Sequence, residues 1–303
     1  MHDIDLKTLR LLVAVCDHQN IRHAAAQEHI EPSAISKRMA QLEHNLGTPL
    51  LVRSRKGAHP TPAGQALLEH ARGILFAVDR IEGDMAAFKG GIKGHVRVAA
   101  SASAIAESLL DDLAGFMRQD AHRDIKIDIE ERFSRDIVNM VRDGTASIGI
   151  CWSQADTAGL ESLPYREDRL VLAVPRGHPL ARRKALRFVE TLDHEHVGLQ
   201  PAAAVSIMLR RAAAQVGRAP NYRVVVSNFD AAFRVVAAGL AVSVVPGEVS
   251  TSYVRSGAIE LVPLKDSWAA RQFAILHRSA PELTPAASKL VSFLSSQAAN
   301  RAV

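Results

Sequence analysis

Cysteine is nearly missing from this chain of 303 residues: Cys16 and Cys151 stand far apart, without the Cys-x-x-Cys or Cys/His spacing that a zinc site requires. Scaffolds stapled by metal or disulfides are excluded, and a reducing cytoplasm is the expected compartment. Long apolar runs are missing too. The longest uncharged apolar stretch, Val235 to Gly247, covers 13 residues and already contains Gly239, Pro246 and Gly247, whereas a membrane-spanning helix needs about 20. No membrane partner is expected. Asp3 and Asp5 precede the apolar run from Leu11 to Cys16, a beginning that lacks the basic lead and small-residue cleavage site of a secretory leader. Catalytic signatures are absent as well: there is no G-x-S-x-G, H-E-x-x-H or G-x-x-x-x-G-K-[ST]. Gly90-Gly91-Ile92-Lys93-Gly94 follows a helical pattern instead of a strand, so it lacks the context of a phosphate loop. His194-Glu195-His196 has no further His or Cys at ligand spacing and reads as a solvated connecting loop, and His178 in Gly-His-Pro reads as a turn feature. No catalytic residue, metal or cofactor is expected.

What is present is an ordinary globular composition, 48% hydrophobic and 23% charged with few aromatics (5%), and a length that predicts about two domains. The formal net charge is +5, which favours polyanionic partners only where the charge is concentrated. It is concentrated between Ser33 and Gly57, where Lys37, Arg38, Arg53, Arg55 and Lys56 face the single acid Glu43. The surrounding pattern is helical. Leu6, Leu9, Val13 and Cys16 form one stripe, Asn20 caps a second helix carrying Ile21, Ala24 and Ala25, and a third begins at Pro32 and ends at Gly47. On the third helix Ile35, Met39, Leu42 and Leu46 share a narrow arc, with Ser33, Ser36, Lys37, Ala40 and His44 opposite. Small hydroxyls and a lysine on a flat face suit a major groove, and the Arg53-Ser54-Arg55-Lys56 turn is placed like a wing. A longer helix starts with Thr61 as cap and Pro62 at its first position. Along it Leu67, Ala71, Ile74, Val78, Ile81, Met85 and Phe88 recur at spacings of 4 and 3, the 3.5-residue repeat of a coiled-coil seam. Two copies are expected to pair there, with Gly90, Gly91 and Gly94 as the linker.

Beyond Gly94 short β-rich runs alternate with helical lengths: Val96 to Ala100, Ile125 to Glu130, Ser147 to Cys151, Leu170 to Pro175, Tyr222 to Ser227 and Ala241 to Val245. Such alternation predicts parallel sheets flanked by helices. A break around Gly159 to Arg166 divides the region into two lobes with a cleft suited to a small ligand.

The chain resembles the LysR-type transcriptional regulators over essentially its whole length. The N-terminal likeness lies in Leu6-x-x-Leu9-Arg10, Ala24-Ala25, Ser33-Ala34-Ile35-Ser36, Leu46-Gly47, Leu50-Leu51-x-Arg53 and Thr61-Pro62-Ala63-Gly64-x-x-Leu67-Leu68. Gly177-His178-Pro179-Leu180-Ala181 and Val236-Ala237-Ala238-Gly239-Leu240 carry it into the second part. The resemblance implies an α/β protein with an all-α N-terminal part. A winged helix-turn-helix (1–60) and a linker helix with hinge (61–94) precede a two-lobed, periplasmic-binding-protein-like effector domain (95–303). Its lobe I spans about 95–164 and 270–303, and lobe II about 165–269. Position by position, DNA contacts carry over to Ser33, Ser36, Lys37, Arg38 and Arg53, although Arg38 could instead pair with Glu43 or Glu31. Where the family commonly has Ser-Gln this chain has Glu31-Pro32, so a glutamine able to read adenine is absent. The effector pocket carries over to Ser101, Ser103, Gln200 and Ala203, while Phe133-Ser134, Trp152-Ser153 and Ser227-Asn228 stand at strand ends, where open α/β sheets bind ligands, with Phe133 expected to pack between lobes and Trp152 able to do either. Ser101 is also expected to cap its helix, and Ala203 stands where related sequences often have a hydroxyl. The implied partners are double-stranded promoter DNA, a small-molecule inducer or co-inducer, a second copy through Leu67, Ile74, Val78, Ile81, Met85 and Phe88 within a homotetramer, and RNA polymerase. Two other classes compete: a solute-binding protein, which would not need the first ninety residues, and an enzyme with an appended DNA-binding module, which lacks a catalytic constellation.

Overall fold

A computed structural model of the chain describes residues 4–54, 57–87, 94–153, 155–157, 159–248, 254 and 257–300. They form two compact units, one built on residues up to 87 together with Asp143–Thr145 and one on the other residues from 94 onward.

In the first unit, α1 (Leu6–His18) opens on Asp5, whose side chain accepts from Thr8 N at 2.8 Å. The hydrogen bonds from Thr8 hold the Asp5 carboxyl below its usual range, with Arg38 adding to the effect. Asn20 caps α2 (Ile21–Gln27) by accepting from Arg22 N and His23 N. Helix α3 (Pro32–Leu46) places proline at the start, where no intrahelical N–H is needed. Ile35, Met39 and Leu42 are buried against Leu12, Val15 and Ala24, and Leu46 packs at the edge of the same core. Burying each such side chain contributes roughly 1.5–3 kcal/mol, which settles which face of α3 turns outward.

The wing consists of β1 (Leu51–Ser54) and β2 (Gly57–Pro60), paired antiparallel; Arg55 and Lys56 at its tip lie outside the described residues. Glu43, the lone acid in the basic segment, fastens this hairpin to α3. Its Oε1 accepts from Leu50 N at 2.8 Å and Leu51 N at 2.9 Å. Ala58 N donates to Gln19 O at 2.9 Å. Gly57 approaches that same carbonyl at φ +132°, where an added Cβ would lie 2.2 Å from it. Thr61 Oγ1 donates to Pro49 O and accepts from Gly64 N, starting α4 (Pro62–Ala87) against the wing. Gly64 is dictated by contact: a Cβ there would stand 2.0 Å from Leu50 O.

The apolar repeat on α4 divides. Ala71 is buried, and Leu67 packs at the edge of the first unit's own core. Ile74, Ile81 and Met85 are 45%, 57% and 53% exposed, Val78 is half-buried, and Phe88 lies outside the described residues.

The second unit contains β3 (Gly94–Ala100), α5 (Ala102–Ala104), α6 (Leu110–Met117), β4 (Ile125–Glu131), α7 (Ser134–Arg142), β5 (Ile148–Trp152), β6 (Glu161–Pro175), β7 (Glu195–Leu199), α8 (Ala204–Ala214), β8 (Asn221–Val226), α9 (Phe229–Ala237), β9 (Ser243–Pro246), β10 (Ile259–Pro263), β11 (Ala270–His277) and α10 (Pro285–Asn300). Between α5 and α6 the helix widens into a π-turn, Ile105–Leu109. Among the described residues seven strands form one sheet in the order β10-β6-β11-β5-β3-β4, with β9 also on β6; β7 and β8 pair separately.

Three expectations are corrected. The sheet is mixed and not parallel: β3 is parallel to β4 and β5, whereas β11 runs antiparallel to both β5 and β6. The break predicted around Gly159 to Arg166 is strand from Glu161 onward, because β6 is shared by both lobes. It pairs with β11 up to Arg169 and with β9 from Leu170. The His194-Glu195-His196 segment is not a solvated loop: Glu195 and His196 begin β7, and His196 is fully buried. Its Nε2 donates to Thr191 O at 3.0 Å, and burial lowers its pKa. Each lobe has its own core, around Phe188 and Phe233 in lobe II and around Phe116 and Phe273 in lobe I. No helix among the described residues is long and apolar enough to cross a membrane.

Both thiols are buried. Burial pushes Cys16 up to about 11, with Asp17 acting in the same direction, and Cys151 up to about 12. In the folded chain neither is expected to react with an aromatic disulfide reagent at pH 8, and both should react after denaturation; rapid native-state colour would contradict this. Gly64→Ala should destabilise the first unit by about 2 kcal/mol. Because Trp152 and Trp268, the two tryptophans, both lie in the second unit, the loss should be seen in far-UV circular dichroism during urea unfolding and not in tryptophan fluorescence.

Candidate nucleic-acid interface and ligand cleft

The outward side of α3 follows from its buried side. With Ile35, Met39 and Leu42 turned inward, Ser33, Ala34, Lys37, Ala40, Gln41 and His44 are exposed and Ser36 is half-buried. Lys37 projects from a face otherwise made of small or neutral side chains. Arg38, on the flank, is occupied within its own unit. Its Nη1 donates to Asp5 Oδ2 at 3.2 Å and to Thr8 Oγ1 at 3.0 Å. The pairing with Glu43 or Glu31 considered from the sequence is not made, since Glu43 holds the wing and the cap of α1 receives Arg38. The first contribution of Arg38 is therefore to tie α3 to α1, with about 41% of its side chain still exposed.

Arg53 and its neighbours Val52 and Ser54 are exposed on the wing. Together with Asn20, Ile21 and Arg22 at the start of α2, Arg53 and Ser54 line an open groove of about 410 Å3. The groove belongs wholly to the first unit. Its two arginines, Arg22 and Arg53, place positive charge along it, as a phosphate backbone requires.

In the second unit the cleft between the lobes lies at the ends of strands that lead into helices. Its lining includes Ser101, Ala102 and Ser103 after β3, Glu131 to Ser134 after β4, Leu199 to Val205 in part after β7, and Ser227 and Phe229 after β8. Four helix starts, those of α5, α7, α8 and α9, thus turn their amide ends toward one space, where partial positive charge favours an anion or a strong acceptor. The cavity there is small, about 60 Å3.

Five of the sequence-predicted pocket residues meet here: Ser101, Ser103, Ser134, Gln200 and Ala203. Two do not. Trp152 packs against the core of lobe II from the end of β5, and Asn228 caps α9 by accepting from Ala231 N at 2.9 Å. Ser101 corrects the expected cap. It occupies the N-cap position with extended backbone, yet its hydroxyl makes no capping bond and Oγ is buried without a partner. The Ser134 hydroxyl has only the Cys151 thiol beside it. Ala203 has no side-chain oxygen to cap α8, so the amides of that first turn are left for another acceptor. Sequence reasoning missed Arg132 as a lining residue; Phe133 and Ser227, at the ends of β4 and β8, line the space as well, Phe133 although its aromatic ring suggested packing. Arg132 is committed to Glu130 and to Glu131 O, so the cation nearest the opening is partly neutralised. No cluster of His, Cys, Asp and Glu able to hold a metal occurs among the described residues.

Two family descriptions match. The bacterial regulatory helix-turn-helix of the lysR family covers residues 6–65, and the LysR substrate binding domain covers residues 89–299. The HTH-type transcriptional regulator CysL of Bacillus subtilis is 24% identical over 276 residues, 91% of this chain and 92% of CysL. Among solved structures, a full-length single-site variant of OxyR from Pseudomonas aeruginosa superposes with a TM-score of 0.73 at 21% identity, covering 98% of this chain and 95% of that one. Full-length CbnR complexed with its target DNA superposes at 0.67 with 24% identity, covering 97% and 100%. These neighbours share the fold, and the family matches span both units: the chain belongs to the LysR family of DNA-binding transcriptional regulators, a helix-turn-helix followed by an effector-binding domain.

Proposed function

We propose that this regulator reads promoter DNA with Ser33, Ser36 and Lys37 of α3 in a major groove, while Arg53 and Arg22 grip the backbone beside it. The observation that carries the reading is the division of α3 between a fully buried apolar arc and an exposed small, cationic side, with Arg38 held back on its flank. CbnR, solved with its target DNA, supports the same use of the shared fold. In this reading Arg38 is a positioning residue whose pair with Asp5 sets the angle of α3 on α1. The seam Ile74, Val78, Ile81 and Met85 on α4 joins two copies, since three large exposed apolar side chains, Ile74, Ile81 and Met85, are a costly surface to leave in water. A homotetramer, RNA polymerase as a further partner, residence in the cytoplasm and the absence of catalysis belong to the same proposal.

The cleft of the second unit takes a small anion or a ligand with a carboxylate-like end. Four helix starts, the unpartnered Ser101 hydroxyl and the uncapped α8 support that class, and no fixed cation is needed. A ligand that fits the cleft as it stands has few atoms, because a cavity of about 60 Å3 is far below the several hundred Å3 of a typical small-molecule site. A larger effector requires the lobes to part.

In a mobility-shift titration on promoter fragments, Arg53→Ala should weaken binding and make the slope of log K against log salt shallower by about one unit. An unchanged slope would remove Arg53 from the interface. Ser101→Ala should weaken acetate or sulfate binding about tenfold in calorimetry, the contribution of one hydrogen bond to a charged acceptor; equal affinity would show that the ligand does not touch this hydroxyl.

A further inference from the structure

Behind the cleft, where β6 passes between the lobes beside the start of β11, lies a set of buried charges that ligand-facing serines do not explain. The register at the crossing sets Arg271 of β11 opposite Asp168 of β6. Their side chains are ion-paired with at most 1% exposure. Glu107, equally buried, brings a second carboxylate to 3.7 Å from Arg271 Nη2. A local break in helical geometry accompanies this placement: Glu107 lies in the π-turn Ile105–Leu109 with φ −86° and ψ −131°, outside the helical region. Insertions of this kind weaken a helix and recur at functional sites. The link to the cleft is Ser103, whose Oγ accepts from Arg271 Nη1 at 3.3 Å while the residue lines the cavity.

The charges do not balance if every group is ionised. Arg271 faces both Asp168 and Glu107. Glu248, beyond β9 in lobe II, adds a further negative field at Glu107 and accepts from Ser108 Oγ at 2.9 Å. The other nearby cation, Arg166, is committed to Asp112 by bonds of 2.6 and 3.0 Å, and Tyr165 donates to the same carboxylate. An excess buried carboxylate without a cation of its own is costly, so one acid keeps a proton. Asp168, in direct contact with the guanidinium, keeps its charge. Burial pushes the Glu107 carboxyl up to about 8, Glu248 acting the same way and Arg271 and Arg166 opposing. Burial lowers Arg271 only to about 10, so it stays cationic at neutral pH. Glu107 Oε1, Asp168 Oδ1 and Arg271 Nε are buried without hydrogen-bond partners. A cluster built only for stability would satisfy these atoms.

We propose that Arg271, Asp168 and Glu107 form a buried positioning relay for the cleft: balanced by Asp168 and a protonated Glu107, the guanidinium occupies the acceptor side of Ser103 and leaves its O–H as a donor, so that an anion is held together with a proton on Glu107. The coupling rests on the anion-binding reading of the cleft. When Glu107 ionises, a second carboxylate competes with Ser103 for the guanidinium and its charge opposes the incoming anion.

Two measurements on the full chain, comparing wild type with Glu107→Gln, decide the matter. The first is ligand-free urea unfolding followed by the fluorescence of Trp152 and Trp268 from pH 5 to 9. An unfolded glutamate titrates near 4.5 and the folded one near 8, so between these limits the folded wild type holds one extra proton. Its folding constant relative to the glutamine variant should therefore fall about tenfold per pH unit from about 5 to 8 and level off above. Parallel curves overturn the relay. The second is calorimetric titration with acetate and sulfate, neither of which titrates between pH 6.5 and 9.5. Wild-type affinity should fall toward tenfold per pH unit above about 8, with close to one proton taken up per anion in buffers of differing ionisation heat, and the variant should show neither effect. Equal pH dependence in the two proteins overturns the relay. If neither anion binds wild type at pH 6.5, the anion reading of the cleft fails and the coupling with it, while the unfolding curves still decide whether Glu107 carries the proton. If the variant does not fold, proton uptake by wild type alone decides, and zero uptake at pH 8.5 overturns the proposal.

Discussion

The antiparallel pairing of β6 with β11 is the constraint on which the second unit depends. β6 runs from one lobe into the other, the chain re-enters lobe I at the start of β11, and the last paired residues, Arg169 with Ala270 and Asp168 with Arg271, lie at this crossing. Two independent cores are thus held by only two backbone connections at their junction, a geometry that leaves the cleft free to change width while each lobe keeps its packing. Placing a charged pair at this point puts the least adaptable chemistry of the unit at its narrowest mechanical link. The hydrophobic cores above and below tolerate small shifts; a buried ion pair with unsatisfied neighbours does not.

A similar division of charge governs the first unit. Glu43 lies in a segment otherwise rich in cations, and its carboxylate is engaged by two wing amides, so its charge is spent inside the unit. Arg38 is likewise engaged by the cap of α1. Charge on this unit therefore sorts into internal fasteners and outward groups, and counting Lys and Arg cannot separate them. The close approaches at Gly57 and Gly64 lock the wing to α1 and to the start of α4 through backbone contacts that no larger residue permits.

Several readings were legible in the residues because their cause is local. The Asn20 cap, the proline start of α3, the arc of Ile35, Met39 and Leu42, and the Thr61-Pro62 start of α4 all depend on neighbours within a few positions. The errors share the opposite cause. His196 looked solvated after His194 and Glu195, but β7 exists only because β8 pairs with it across an intervening helix. The predicted break near Gly159 to Arg166 contains ordinary strand residues whose partner, β11, lies about a hundred positions away. Ser101 has the sequence of a cap and the geometry of an open hydroxyl, a distinction set by rotamer and surroundings. Trp152 was credited to the cleft for standing at a strand end, and its ring went to the neighbouring core.

By itself the sequence settled the order of parts: a helical DNA-reading head with an outward small, cationic face, a long helix with an apolar seam, and an α/β region able to form a cleft. Periodicity, caps and charge runs are properties of contiguous residues, so the chain carries them without its fold. Tertiary structure alone decided which charges are fasteners and which are free, that one strand serves both lobes, and that Glu107, Asp168 and Arg271, far apart along the chain, share one dry site. Those outcomes depend on long-range contact and on the loss of water around each group, and neither is written in local spacing.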